Sequence, residues 1–285
     1  MKVAANAKVN FTLEVFGKRA DGYHALRSVV MPITLSDTLD IEVTDDGEIT
    51  SDTGYDDDLC VKAARVLKSS VSSLPSSLGA TIHVVKRIPA GGGLGGGSAD
   101  AAAVLRALNE LWDIGLSREE LAEIGAQVGS DVPALVLGGP VIMEGRGEIV
   151  KSLGACACGV NLVLVNPGVH SSTKEVYDAL GERASRPFDG AANATAKMVS
   201  ALQSGDLSQI AAALMNDLQA PAVKQHPEIA DALVSLRTAG VVGALMSGSG
   251  SSVFGIAPDA AAAARISSEL NARGYRAWPV EAGGL

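Results

Sequence analysis

One run in this chain has residue types and spacing that point directly to chemistry: PAGGGLGGGSAD at 89–100, with six glycines in the seven positions 91 to 97. Glycine reaches positive φ and lets the backbone approach a ligand with no Cβ in the way. The helical pattern that follows offers unpaired N–H groups and the positive end of its dipole. The run therefore reads as a phosphate-cradling loop for a nucleoside triphosphate. Gly91, Gly93 and Gly96 also satisfy G-x-G-x-x-G. A dinucleotide fold, however, needs a ribose-binding acid at the end of a second strand, and Glu110, Glu119 and Glu120 fall in helical pattern instead. A Walker A loop closes on Gly-Lys-Ser/Thr, whereas this one closes on Gly96-Gly97-Ser98, so the cation must come from elsewhere. A flexible linker of the same composition would not lie between a strand and a buried helix.

Other residues gain meaning only in company. Ser247 to Ser252 form a second small-residue loop between short apolar strands; alone it is an ordinary hairpin connection, and beside the first loop it suggests a cleft. Asp131, in GSDVP at 129–133, stands where a helix is about to begin with Pro133 early in it, and helix capping is its plain structural role. Lys8 opens an alternating segment in which it shares a face with Asn10, and alone it is a solvated edge lysine. Cys60 stands apart, and Cys156 with Cys158 forms a C-x-C pair without a second pair or a His cluster, so all three are expected to be buried free thiols rather than metal ligands.

The elements that must position these groups are legible in outline. Val9, Phe11, Leu13 and Val15 alternate with polar residues as a half-buried strand, and further strands are expected at 27–35 and 38–43. A helix follows at 57–70, then a β-branched strand at 80–87 feeding the loop, then a helix at 98–112. Ser117 and Glu120 form a capping box for a helix at 117–128, and 141–144 reads as a short strand. The pattern loosens around 154–159, which places a boundary there. Beyond it come an apolar strand ended by a turn at 161–168, helices at 195–203, 207–214 and 227–239, strands at 243–246 and 253–256, a helix at 260–273 and a strand at 275–280. Helices alternating with antiparallel-compatible strands imply an α+β sandwich.

The chain has 285 residues, enough for two moderate domains, and its 47% apolar and 19% charged composition is that of a globular protein. A formal charge of −9 leaves no basic stripe for nucleic acid, and no apolar run is long and charge-free enough to span a bilayer. The start MKVAANAKVNF lacks a signal-peptide core, so a cytoplasmic location is expected. An acidic protein still binds a nucleotide where local N–H dipoles, a few cations and Mg²⁺ supply positive potential.

Taken in order, the strand AKVNF, the loop PAGGGLGGGSADAA, the segment GSDVP and the loop MSGSGSS resemble the signatures of the galactokinase, homoserine kinase, mevalonate kinase and phosphomevalonate kinase (GHMP) superfamily, over nearly the whole chain. Within it, KRADGYHALRSVVMPITLSDTLDIE at 18–42 is similar to the 4-diphosphocytidyl-2-C-methyl-D-erythritol kinases of the non-mevalonate isoprenoid pathway. The resemblance implies an α+β, two-domain architecture. Its N-terminal ATP-binding domain, 1–154, is mixed α/β with the glycine-rich phosphate loop; its C-terminal domain, 155–285, is a ferredoxin-like α/β sandwich; the active site lies in the cleft between them. It implies transfer of the ATP γ-phosphoryl to the 2-hydroxyl of the methylerythritol moiety, with ATP and Mg²⁺ as cofactors.

The roles follow from the same resemblance. Asp131 is the general base or orienting carboxylate, and Lys8 keeps it ionised and stabilises charge on the γ-phosphoryl. Pro89, Ala90, Gly91, Gly92, Gly93, Leu94, Gly95, Gly96, Gly97, Ser98 and Ala99 wrap the triphosphate, with Ser98 either on a phosphate oxygen or near Mg²⁺. Tyr23 stacks cytosine, His24 reads its edge and Tyr177 lies on its other side. Asn10 bonds the base or the diphosphate, Thr173 lines the same wall, and Ser249 and Gly250 face the diphosphate. The Mg²⁺ ligands are open, with Asp100 and Glu14 as candidates. The substrate is a small cytidine diphosphate, and a monomer or homodimer is expected, with no nucleic acid or membrane partner. Two positions depart from the family pattern: Pro often precedes Ala-Lys where this chain has Asn6, and an acidic residue often follows Asn-Asp-Leu where it has Gln219.

Overall fold

The computed structural model describes residues 1–154, 159–181 and 194–283. The expected N-terminal strand divides at Phe11 into β1 (Lys2–Asn10) and β2 (Thr12–Lys18). The two strands expected at 27–35 and 38–43 are one, β3 (His24–Thr44), because the polar pair Ser36-Asp37 does not turn the chain. There follow β4 (Ile49–Ser51), α1 (Leu59–Ser70), β5 (Gly79–Val85), α2 (Gly96–Leu111), α3 (Arg118–Gly125) and α4 (Val132–Leu137). The Ser117–Glu120 capping box is present at the start of α3. Next come β6 (Val141–Gly145), β7 (Ile149–Ser152), β8 (Val160–Asn166), α5 (Thr173–Asp178), α6 (Ala194–Ser204), α7 (Leu207–Ala213), β9 (Met215–Asn216), α8 (Gln219–Gln225) and α9 (Pro227–Thr238). The chain closes with β10 (Gly243–Met246), β11 (Val253–Ile256), α10 (Ala260–Ala272) and β12 (Arg276–Ala282). Cys60 is a buried free thiol, whereas the expectation for Cys156 and Cys158 lies outside the described residues.

Two compact units interleave along the chain. One comprises Met1–Ala7, Leu35–Ala90 and Gly95–Gly138; the other comprises Lys8–Thr34, Gly91–Leu94 and Gly139–Leu285. In the first, β5 is flanked by β3, antiparallel from Thr38↔Val85 to Thr44↔Gly79, and by β4, parallel from Ile49↔Ala80 to Ser51↔Ile82. Helix α2 is almost entirely buried from Ala99 to Leu108 and packs against α1, α3 and α4. Its alanine-rich sequence explains this, since small side chains let neighbouring helices approach on several sides.

In the second unit an antiparallel sheet has the order β10-β11-β8-β12. The sequence β8, helices, β10, β11, α10, β12 gives the ferredoxin-like arrangement. Val163 and Val165 of β8, with Met246 and Val253, meet Ile229, Leu233 and Leu236 of α9 and Ile266 and Leu270 of α10 in one buried cluster. Leu13 and Val15 of β2 belong to that cluster as well. The first part of β3 carries β2 and β6, both antiparallel, and β6 carries β7.

Candidate active site

In the second unit the Lys8 side chain is not a solvated edge group: only 4% of the residue is exposed. Its Nζ donates to Asn10 Oδ1 at 2.8 Å, as the shared strand face predicts. Asn10 Nδ2 donates in turn to Ser28 Oγ at 2.8 Å, and Ser28 Oγ to the Thr12 carbonyl at 2.5 Å. The Lys8 backbone N–H donates to the Leu94 carbonyl at 3.0 Å, so the cation-bearing strand is tied to the glycine run. A buried ammonium held on a hydrogen-bonded relay has few accessible rotamers, which suits a group that must act from one place.

The run itself alternates. Gly91, Gly93 and Gly95 have φ of 63°, 74° and 68°, and the residues between them are not left-handed. Alternating positive φ is a feature of anion-binding nests, in which successive N–H groups face one concavity. The loop 247–252 is clasped to it: Ser247 Oγ donates to the Gly93 carbonyl at 3.0 Å, and the Ser252 N–H to the Gly92 carbonyl at 3.1 Å. A Cβ on Gly93 would lie 2.1 Å from the Ser247 carbonyl oxygen, so both the φ and the close approach require glycine there. Thr173 Oγ1 and Ser249 Oγ are 2.8 Å apart, and Ser171 Oγ donates to the Ser249 carbonyl at 2.6 Å.

Sequence reasoning assigned no role to Asn216, whose Nδ2 donates to the carbonyls of Met246 and Gly248, each at 2.8 Å. The Met246 N–H donates to Gln219 Oε1 at 3.0 Å, so the amide at the departing position accepts as a carboxylate would. The motif Asn-Asp-Leu was the available signal. Glu14, a metal candidate, accepts instead from the Thr195 N–H at 3.2 Å and hydroxyl at 2.9 Å at the start of α6.

At the far end of the same unit, DGYH at 21–24 forms a turn closed by the Arg19 N–H on the Tyr23 carbonyl at 2.7 Å. The rings of His24 and Tyr177 stack, with centroids 5.4 Å apart. Tyr23 is 57% exposed, and the Arg146 guanidinium stands 5.4 Å from its centroid. Burial and the Lys18 charge lower the pKa of His24, so near neutral pH the ring keeps one donor and one acceptor nitrogen. Arg146 carried no sequence signal beyond its place in EGRGE.

In the first unit Gly95, left-handed, begins α2, and Ser98 lies in its first turn. The Ser98 Oγ is 3.8 Å from where a Cβ on Gly129 would stand, which brings GSDVP beside the start of α2. Asp58 and Asp259 cap α1 and α10 through their carboxylates. Asp131 occupies the corresponding position before α4, yet at φ −84° and ψ −14° it makes no side-chain cap bond. Pro89, Ala90 and Ala99 lie in this unit too.

Two residues that sequence reasoning missed anchor the loop helix. Lys86 Nζ donates to Asp37 Oδ2 and to Asp100 Oδ2, each at 2.5 Å, and Asp37 also accepts from the Ile88 N–H at 2.8 Å. Both carboxylates are buried, and Asp100 Oδ1 has no hydrogen-bond partner among the described residues. Burial raises the Asp100 pKa well above the carboxylate range against the opposing pull of Lys86. Among the described residues no group of three His, Cys, Asp or Glu side chains stands together as a metal cage.

The chain matches the GHMP kinases N terminal domain over residues 58–139 and the GHMP kinases C terminal family over residues 198–276. It is 39% identical over 289 residues to 4-diphosphocytidyl-2-C-methyl-D-erythritol kinase of Symbiobacterium thermophilum, covering 98% of this chain and 99% of that protein. With the protein of that name from Pelotomaculum thermopropionicum it shares 42% identity over 271 residues, covering 93% and 91%. Among solved structures, a crystal structure of 4-(cytidine 5'-diphospho)-2C-methyl-D-erythritol kinase superposes with a TM-score of 0.85 at 34% identity, covering 100% of both chains. The L. major mevalonate kinase structure, at 21% identity, TM-score 0.72 and coverage of 99% and 95%, shares the fold.

Proposed function

The chain belongs to the GHMP kinase superfamily, and within it to the 4-diphosphocytidyl-2-C-methyl-D-erythritol kinases; from that premise we propose how its own residues perform the transfer. The N–H groups of Gly91–Gly97 hold the ATP triphosphate, and the charge of Lys8 stabilises the γ-phosphoryl oxygens. Asp131 accepts or orients the proton of the 2-hydroxyl as that oxygen bonds the γ-phosphorus. The bond from phosphorus to the β–γ bridging oxygen breaks, and ADP leaves. Mg²⁺, with the Ser98 hydroxyl as its protein oxygen, would neutralise charge on the phosphates.

Tyr23 and Tyr177 offer ring faces to cytosine, and neutral His24 offers a donor and an acceptor to its edge. Thr173, Ser249 and Gly250 line the diphosphate. Asn10, bonded at both ends of its amide to Lys8 and Ser28, holds the cation in place. Residues 1–154 and 155–285 are assigned as the two functional domains, supported by the positions of the two family matches. The enzyme is assigned to the cytosol, and no helix among the described residues is long and apolar enough to cross a membrane.

The observation that carries this reading is the buried Lys8, tied by its own N–H to the glycine run and by its ammonium to Asn10. Purified protein with Mg-ATP is expected to release ADP with 4-diphosphocytidyl-2-C-methyl-D-erythritol and not with mevalonate or homoserine. Turnover of mevalonate with the cytidylyl alcohol inert would reverse the assignment.

A further inference from the structure

The β6–β7 turn hangs over the DGYH turn, and register dictates this. β3 begins at His24, and Leu26 pairs with Gly145 at the end of β6, so the residues after Gly145 must emerge beside those before His24. The Arg27–Glu144 ion pair, at 2.7 Å, fixes that end of the ladder. Gly145 and Gly147 give the turn positive φ at two positions, and Glu148 Oε2 accepts from the Arg146 N–H at 2.6 Å. Arg19 joins the two segments, bonding Asp21 at 3.0 Å and facing Glu148 at 3.7 Å. Arg146 is left to stand over the Tyr23 ring, 5.4 Å from its centroid.

We infer that Arg146 is a positioning residue for nucleobase recognition: its guanidinium holds the Tyr23 ring flat so that the ring meets cytosine already oriented. This rests on the reading of Tyr23 as a cytosine-stacking ring. A tyrosine 57% exposed on a turn would otherwise sample several χ1 rotamers, and ordering it would oppose binding. A planar guanidinium stacks on an aromatic face in a way that a lysine ammonium does not. The effect belongs to substrate capture and not to phosphoryl transfer, so it enters KM for the cytidylyl alcohol and leaves kcat and the KM for ATP nearly alone.

Steady-state kinetics of Arg146→Ala, Arg146→Lys, Tyr23→Ala and the double variant test this. Arg146→Ala is expected to raise KM for the cytidylyl alcohol ~5-fold, the scale of a partly exposed cation–π contact, with kcat within about twofold. Arg146→Lys should recover part of the loss. In the Tyr23→Ala background, Arg146→Ala should add nothing, because its target is gone. An unchanged KM in Arg146→Ala, or the same increment with and without Tyr23, overturns the inference while leaving the cytidine reading intact. A Tyr23→Ala variant with normal KM overturns the stacking reading itself, and the inference with it.

Discussion

Lys8 and Asp131 were visible in the sequence as ordinary residues, an edge lysine and a helix cap, and each departs from that description for a physical reason. Lys8 is buried and hydrogen-bonded, and Asp131 precedes a helix without capping it. Asp131→Ala is expected to lower kcat ~10²-fold or more while ATP still binds, measured by turnover beside a nucleotide titration. Near-normal kcat would remove it as base. Asn10→Ala should lower kcat through Lys8, since it removes a hydrogen bond to the ammonium without deleting the charge, as steady-state turnover would show. The lowered pKa of His24 gives a sign to pH dependence: KM for the cytidylyl alcohol stays flat above neutrality and rises only as pH falls below the usual histidine range, where the ring gains a proton and loses its acceptor. A His24→Gln variant should lose that acid limb.

Among the elements, the strand–loop–helix context of the glycine run was legible because β-branched alternation and alanine-rich periodicity are strong local signals. What holds Gly92 and Gly93 was not, because their partners Ser247 and Ser252 are remote in sequence. Short elements such as β4, β7 and β9 escaped for the same reason, being defined by pairing and not by their own composition. Gly93→Ala is expected to force the two loops apart, raising KM for ATP and lowering Tm by about 5 °C or more. Lys86→Met leaves two buried carboxylates without their cation, and chemical denaturation should show a loss of about 3–5 kcal/mol. A loss under 1 kcal/mol would mean that the bridge is only a surface contact.

For the whole molecule, one compact unit joins Lys8–Thr34 and Gly91–Leu94 to Gly139–Leu285, so it draws on both sides of the proposed boundary at residue 154. Leu13 and Val15 lie in the same buried cluster as α9 and α10, and Ala282 of β12 pairs with Ile33 of β3. A fragment of residues 155–285 alone therefore exposes apolar surface that the full chain covers. Its thermal melt by circular dichroism is expected to be broad, with dye binding typical of loosened cores; a sharp melt and no dye binding would show that the fragment is self-sufficient. The clasp between Gly93 and Ser247 carries a consequence for biosynthesis. A ribosome has finished the glycine run long before it makes the serines that latch it, so an unfinished polypeptide, or one cut short by a premature stop before residue 247, leaves Gly93 without its clasp and is expected to bind ATP poorly.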